Sequence, residues 1–249
     1  KAKKDLLKYF LKSARTRIAI NKKMAETYTS KFSKKFEVIH NSLDRRKVKK
    51  VNNFNKKKIL TYIGSVYENA QLNSLIKISD AVVSLHNQNT DLQFKIYLPR
   101  HQLDLIKPKF PNHNSIKLEV NEFNDNEYFT LVSEANLLIL ASNFDRKSIN
   151  YYKYSWPAKM PSYLMSNVPI FILGPLEIFF IKEAKRKNWG FVCEKNDIKN
   201  IKESITKVLY NEQIKKKIIQ NAIFESKKFE LDYMKTRFCK ILKNSINNK

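Results

Sequence analysis

Glycine, cysteine and histidine are scarce in this chain of 249 residues, which contains 3, 2 and 4 of them respectively. Cys193 and Cys239 lie far apart in apolar or amphipathic segments, so we expect buried thiols and exclude a cysteine metal site. The histidines are scattered, without a Ser-His-Asp or Cys-His arrangement. The sequence also lacks a DxD-like carboxylate cluster near a predicted strand end and an apolar run of bilayer length. Catalysis by these residue types and a metal centre are therefore not expected.

Positive charge is in excess, with 48 Lys and Arg against 23 Asp and Glu and a formal net charge of +25. Such a charge is typical of proteins that bind nucleic acids or anionic membranes. Here the basic residues are spread along the whole chain, and Lys, Asn, Ile, Tyr and Phe are all abundant, as in AT-rich genomes. We therefore favour compositional bias over a nucleic-acid partner, and peripheral contact with an anionic membrane stays open.

Strand-length apolar runs alternate with helical segments after a polar, basic stretch at 45–58 that has the composition of a linker. Strands are predicted at 59–63, 94–98, 116–120, 137–141, 168–173 and 190–193, and from 197 onward the chain is predicted to be helical. Strands separated by helices form βαβ units, and right-handed crossovers place the helices on both faces. The predicted fold class is α/β: a Rossmann-like parallel sheet followed by a C-terminal helical segment.

The segment 154–175, YSWPAKMPSYLMSNVPIFILGP, indicates a loop, a short helix, a buried strand and a turn. Ser155 is predicted to be the N-cap, and Pro157 stands where a fixed φ suits the start of a helix. Lys159 would then lie in the first turn, where unpaired backbone N–H groups and the helix dipole favour negative charge. The segment predicts an anion site at a strand end.

Two of the three glycines, Gly64 and Gly174, directly follow predicted strands, where a backbone without a side chain can approach a ligand. For Gly64 and Ser65 a phosphate contact and an ordinary tight turn fit the spacing equally well. Gly190 precedes a strand and is interpreted as a turn residue.

These elements together resemble the donor-binding half of GT-B glycosyltransferases, most closely the retaining group 1 enzymes that build bacterial surface polysaccharides. The family pattern is roughly S-x-P-x-K-x-x-E-Y-L-A-x-G-x-P, and the residues that match it are Ser155, Pro157, Lys159, Tyr163, Leu164 and Pro169. The segment 24–44 resembles the interdomain stretch of the family, where Asn41 and Asp44 match an Asn-Gly-x-Asp turn and Ser42 replaces its glycine. The resemblance covers about 24–242.

The resemblance implies transfer of a hexose, with retention of configuration, from a nucleotide-diphosphate sugar to a glycan or lipid-linked acceptor, without metal or cofactor. It divides the chain into a remnant of the acceptor domain with the interdomain segment (1–44), a linker (45–58) and the donor-binding domain (59–249). The chain does not begin with Met, and the remainder of an acceptor domain is expected upstream. The expected location is cytoplasmic, at most peripheral at the inner face of the membrane.

The resemblance also implies a donor site, although it assigns no catalytic residue. The implied diphosphate contacts are Lys159, Gly64, Ser65 and Ser155. The implied base and ribose contacts are Ser162, Glu122, Phe123 and Asn143. The chain departs from the family at Tyr154 and Ser162, where many of these enzymes carry glutamates, and no basic residue stands at 64–68.

Two other functions stay open at this point. A Rossmann-like unit with a basic surface can bind a nucleotide or nucleic acid without catalysis, although its basic residues do not cluster with aromatic ones in an RNA-reading motif. An inactive partner subunit of a polysaccharide assembly complex is the second alternative, because the missing glutamates would permit it.

Overall fold

The computed structural model describes residues 2–48, 57–88 and 90–247. Two short strands, β1 (Ile18–Ala19) and β2 (Glu37–Val38), form a parallel pair near the N-terminus. The main sheet has six strands: β3 (Lys58–Ile63), β4 (Leu92–Leu98), β5 (Ile116–Val120), β6 (Leu137–Ala141), β7 (Ile170–Leu173) and β8 (Phe191–Cys193). All of its neighbouring strands are parallel, as predicted.

The helices of the described residues are α1 (Ala2–Ser13), α2 (Lys22–Phe32), α3 (Leu72–His86), α4 (Arg100–Ile106), α5 (Asp125–Glu134), α6 (Arg146–Tyr152), α7 (Met160–Met165), α8 (Phe179–Lys187), α9 (Ile198–Tyr210), α10 (Glu212–Ser226) and α11 (Leu231–Asn247). Several of them cover the two faces of the main sheet. One apolar core holds the buried sides of α3 and α9, and the other holds those of α5, α7 and α8. The predicted α/β class with a helical C-terminal segment is confirmed.

The strands run in the order β5-β4-β3-β6-β7-β8. The chain builds outward from β3 through β4 to β5, then returns to the other side of β3 to place β6, β7 and β8. The crossovers therefore diverge between β3 and β6, which leaves a crevice outside the carboxyl ends of these two strands. This topological switch point is where open α/β sheets bind ligands.

The apolar runs explain why these strands take their places. All five residues of β6 are buried, since this strand has neighbours on both edges and helices on both faces. In β5 buried or half-buried positions alternate with exposed ones, as fits an edge strand. The central strands therefore form a rigid platform beneath the switch point.

The loop between β6 and α7 differs from the prediction in two ways. Residues 146–152 form α6, which the sequence did not reveal, and the side chain of Asp145 caps it by accepting the backbone N–H of Ser148. The N-cap prediction for Ser155 is wrong, because α7 begins only at Met160 and Lys159 is its N-cap residue. A turn from Pro157 to Met160 occupies the positions assigned to the first helical turn.

The cysteine prediction holds for one residue only. Cys193 is buried at the end of β8, whereas Cys239 is exposed on α11. The amphipathic pattern of α11 was correct, but Cys239 lies outside its buried stripe, which contains Met234 and Ile241.

The N-terminal segment packs against the C-terminal helices. Leu43 donates its backbone N–H to Phe229 and accepts one from Leu231, and Arg237 Nε donates to the carbonyl of Val38 at 2.7 Å. Of the predicted linker, Arg45–Lys47 form a short 3-10 turn, β3 already begins at Lys58, and 49–56 lie outside the described residues. Within the described ranges, none of the helices has the length and apolar character required to cross a membrane.

Candidate anion-binding site

The turn after β3 forms one wall of the switch-point crevice. Gly64 has a φ of 134°, in a region that side-chain-bearing residues rarely adopt. Its N–H donates to the carbonyl of Tyr97 on β4 at 2.9 Å. A Cβ at Gly64 would lie 2.9 Å from the amine of Lys159. The tight turn considered from the sequence is therefore present, and the contact of Gly64 with a phosphate stays a prediction.

Lys159, in the segment between β6 and β7, forms the second wall of the crevice and lies next to Gly64. Its Nζ lies 3.7 Å from the centroid of the Tyr62 ring. The side chain is packed between this ring and the Gly64 backbone, and burial lowers the pKa of Lys159 to about 7.

The amine of Lys159 has no carboxylate and no hydrogen-bond acceptor among the residues that the structure describes. The shift in its pKa accordingly has desolvation as its cause, without a compensating charge. A half-buried cation without a counter-ion costs free energy in the empty protein. An anion placed in the crevice would supply the missing charge.

The backbone of the turn at 64–66 is held by hydrogen bonds with three side chains. The hydroxyl of Tyr62 donates to the Ser65 carbonyl at 2.7 Å, and Gln71 Nε2 donates to the same oxygen. The N–H of Val66 is bound by Gln102 Oε1 at 2.9 Å. The N–H of Ser65 has no acceptor within the described part of the chain, so a backbone donor is free beside the lysine.

The structure places the two serines of the predicted site differently. Ser155 lies in the turn before α7, with its hydroxyl at 3.5 Å from the carbonyl of Tyr151. Ser162 is buried, and its Oγ donates to the Lys159 carbonyl at 2.8 Å and lies 2.6 Å from the hydroxyl of Tyr128. Ser162 therefore helps to fix the backbone of Lys159, and its ribose contact stays a prediction.

Asn143 follows β6 and binds the loop after β3. Its side chain accepts the backbone N–H of Ser74 at the start of α3 and donates to the carbonyl of Glu68 at 2.7 Å. The residue is 1% exposed. These bonds tie the loop after β3 to β6, so Asn143 supports the crevice, and its contact with a base stays a prediction.

Glu122 and Phe123 lie beyond β5, next to Tyr97. The carboxylate of Glu122 binds Arg100 at 2.7 and 2.5 Å, and this bond lowers the pKa of Glu122. The ring of Phe123 makes an edge contact with Tyr97 at 5.3 Å between centroids. Both residues line a shallow groove of about 610 Å³ beside Tyr97. Their contacts with a base stay predictions.

Sequence reasoning missed Tyr62 and Gln71, which hold the lysine and the turn in place. Tyr62 occupies an apolar strand, where an aromatic residue predicts core packing. Gln71 precedes α3 without any motif around it. A polar residue that is 3% exposed at this position is recognised only once the strand order is known.

Replacing Gly64 by alanine tests the turn. We expect a loss of about 1–3 kcal/mol in the free energy of unfolding, because the φ of 134° strains any residue with a Cβ. The methyl group would also displace the flexible Lys159 amine. Urea denaturation measures the effect, with Ser65→Ala as the control, since that change removes a half-exposed hydroxyl from an unstrained position. Equal stabilities of the two variants would contradict the strain.

Comparisons with known proteins agree with the overall fold. No protein-family model and no curated protein matches the sequence. Among solved structures, the chain is similar to HepE of Anabaena, in complex with UDP and glucose, with a TM-score of 0.72 and 12% identity over 97% of this chain and 66% of that one. It is also similar to TarM of S. aureus, in complex with UDP, with a TM-score of 0.70 and 13% identity over 97% of this chain.

The chain spans about half of the TarM structure, 46% of its length. The C-terminal domain of the group 1 glycosyl transferase LpcC from Francisella tularensis is matched over its whole length, with a TM-score of 0.55 and 13% identity over 76% of this chain. Identities at this level establish the fold, and the resemblance read from the sequence is confirmed at that level. The chain has the fold of the C-terminal half of GT-B glycosyltransferases.

Proposed function

We propose that the chain is the donor-binding half of a glycosyltransferase and binds a nucleotide-diphosphate sugar in the switch-point crevice. The observation that carries the proposal is the amine of Lys159, which is packed against Gly64 and Tyr62 without a counter-ion among the described residues. A diphosphate supplies two negative charges at the point where this cation and the free N–H of Ser65 converge. The UDP bound in the HepE and TarM structures supports this ligand class.

The proposed chemistry is the departure of the diphosphate from the anomeric carbon of the sugar. Negative charge grows on the leaving phosphate in that step, and fixed donors in a half-buried site stabilise it more than water does. Lys159 and the Ser65 N–H would take this role without a metal. Transfer to a glycan or lipid-linked acceptor, with retention of configuration, completes the proposed reaction.

Direct binding tests the proposal. The chain would be titrated with UDP-glucose, UDP-N-acetylglucosamine and GDP-mannose by calorimetry and saturation-transfer NMR. We expect saturable binding of at least one sugar nucleotide, with transfer of saturation to the base and ribose protons. Binding to none of the three would overturn the proposed ligand, and salt-sensitive binding to RNA in its place would favour a nucleic-acid module.

An inactive subunit is the second candidate, and a specific observation favours it. Tyr154 and Ser162 stand where the resemblance leads us to expect two glutamates, and the hydroxyl of Ser162 is already paired with Tyr128. Such a subunit would bind the donor without turning it over. Release of free sugar or its transfer to an added acceptor, measured beside binding, separates the two functions.

Proton uptake provides a further prediction. Because burial lowers the pKa of Lys159 to about 7, the amine is mostly neutral at pH 8 in the empty site, and a bound diphosphate favours its charged form. We expect uptake of roughly 0.9 proton per sugar nucleotide at pH 8 and roughly 0.1 at pH 6. Calorimetry at each pH in two phosphate-free buffers of different ionisation enthalpy measures the uptake, and an uptake that does not change with pH would contradict the role of Lys159.

A further inference from the structure

Tyr62 makes contact with both parts of the proposed site. It is the fifth residue of β3 and is 3% exposed, so its ring has little freedom to move. Its hydroxyl donates to the Ser65 carbonyl at 2.7 Å, and burial raises the pKa of this hydroxyl, which keeps the proton in place. One face of the same ring lies under the Lys159 amine at 3.7 Å from the centroid.

The contact with the ring face has a direct electrostatic consequence. The face of an aromatic ring carries partial negative charge, and it attracts an ammonium group within about 6 Å of the centroid. The ring attracts the ammonium without neutralising its charge, as a carboxylate would. The amine is thus held in position while its charge stays available to a ligand.

Gln71 helps to hold the Ser65 carbonyl in place, and in doing so it leaves one of its own atoms without a hydrogen bond to the described residues. Its Nε2 donates to the Tyr62 hydroxyl at 2.9 Å and to the Ser65 carbonyl. Its Oε1 is buried without a hydrogen-bond partner in the described structure. A buried acceptor left unpaired is unfavourable, so the two bonds made by Nε2 outweigh it. Together they turn the Ser65 carbonyl inward, away from the crevice.

We propose that Tyr62 is a positioning residue of the donor site, whose ring face holds the Lys159 amine while its hydroxyl, together with Gln71, holds the Ser65 peptide. The inference rests on the proposed function, since it concerns the same crevice. One buried side chain thereby positions both the Lys159 amine and the Ser65 N–H so that they can bind the same diphosphate. Tyr62 itself does not touch the donor.

The test compares Tyr62→Phe, which keeps the ring, with Tyr62→Leu, which removes it. The affinity for the sugar nucleotide bound by the wild-type chain is expected to be about tenfold weaker in the leucine variant than in the phenylalanine variant. In a Lys159→Met background the two variants are expected to bind alike, because the ring acts through the lysine. A residue that only stabilised the fold would weaken binding in both backgrounds.

A second measurement needs neither the donor nor a variant of Tyr62. In the wild-type NMR spectrum, the ε-methylene protons of Lys159 are expected upfield of those of the other lysines, because the ring current of Tyr62 shields them. The signal is assigned by its absence in Lys159→Met. An unshifted signal would overturn the inference even if Tyr62→Leu failed to fold.

The outcomes separate this inference from the proposed function. Equal affinities of Tyr62→Phe and Tyr62→Leu, in a chain that binds a sugar nucleotide, would overturn the inference alone. A wild-type chain that binds none of UDP-glucose, UDP-N-acetylglucosamine and GDP-mannose would overturn both. A difference between the two variants that vanishes in the Lys159→Met background supports both.

Discussion

Lys159→Met is expected to weaken sugar-nucleotide binding about 100-fold, because it removes the charged partner of a desolvated phosphate. The same change is expected to stabilise the empty protein. Methionine fills the space beside Tyr62 and Gly64 without the cost of burying an amine, which lowers the pKa of Lys159 to about 7. Loss of binding combined with a gain in stability is the pattern of a residue retained for function.

The gain in stability has a defined pH dependence. The unfolded chain keeps the lysine proton up to its ordinary pKa of 10.5, whereas the folded chain releases it near pH 7. The unfolded state therefore binds more protons between these values, and wild-type stability rises with pH across this window. Below pH 7 the full cost is present, about 2 kcal/mol once solvent screening of a half-buried amine is allowed for. The advantage of Lys159→Met should therefore shrink from pH 6 to pH 9.

Urea denaturation at pH 6 and pH 9 and calorimetry with the bound sugar nucleotide measure the two effects. Lys182→Met is the matched control, since Lys182 is exposed on α8 and its replacement should change neither quantity. Wild-type affinity in Lys159→Met would remove the lysine from the site. If Lys159→Met were less stable than the wild-type chain, the buried amine would stabilise the fold, which would contradict the cost inferred from its burial.

Trp189→Ala is expected to cost about 3–5 kcal/mol of unfolding free energy, a large part of the stability of an ordinary domain. Trp189 is fully buried, and its ring lies 6.3 Å from that of Trp156 in the loop that leads to Lys159. Alanine would leave a cavity in a close-packed aromatic cluster that also contains Phe229.

Trp189→Phe tests whether the cost of the alanine replacement comes from the cavity or from any change at position 189. The indole N–H of Trp189 is buried without a hydrogen-bond partner in the described structure, so phenylalanine removes an unsatisfied donor along with the smaller part of the ring volume. We expect a cost well below that of alanine. Denaturation of both variants, with the exposed Phe224→Ala as a control, measures the difference, and equal costs would contradict the cavity argument.

The sheet was largely predictable because its signal is local. Runs such as LLILA at Leu137–Ala141 are apolar over the length of a strand, and a central strand of a parallel sheet is a place where five consecutive residues can all be buried. The start of α7 was not, because Pro157 and Pro161 both suit a helix start and the choice depends on how the loop meets the sheet. The short helix α6 carries mostly polar residues and gives little periodicity.

The candidate site divides in the same way. Gly64 was identified from its place after a predicted strand and Lys159 from its place at a predicted helix start, and the structure brings them into contact. Tyr62 and Gln71 could not be identified, because their role consists of contacts between residues that only the folded sheet makes neighbours. Ser155 was assigned to a helix that begins four residues later than expected, at Met160.

The hydrogen bonds of Leu43 with Phe229 and Leu231 also determine the order in which parts of the chain can fold during synthesis. Phe229, Leu231 and Arg237, which bind Leu43 and Val38, leave the ribosome after the whole six-stranded sheet has been made. The six-stranded sheet can therefore form while β1, β2 and the segment up to Arg45 still lack their docking surface. Closing this long loop is a late event with a high entropic cost, and the N-terminal segment depends on it for its place.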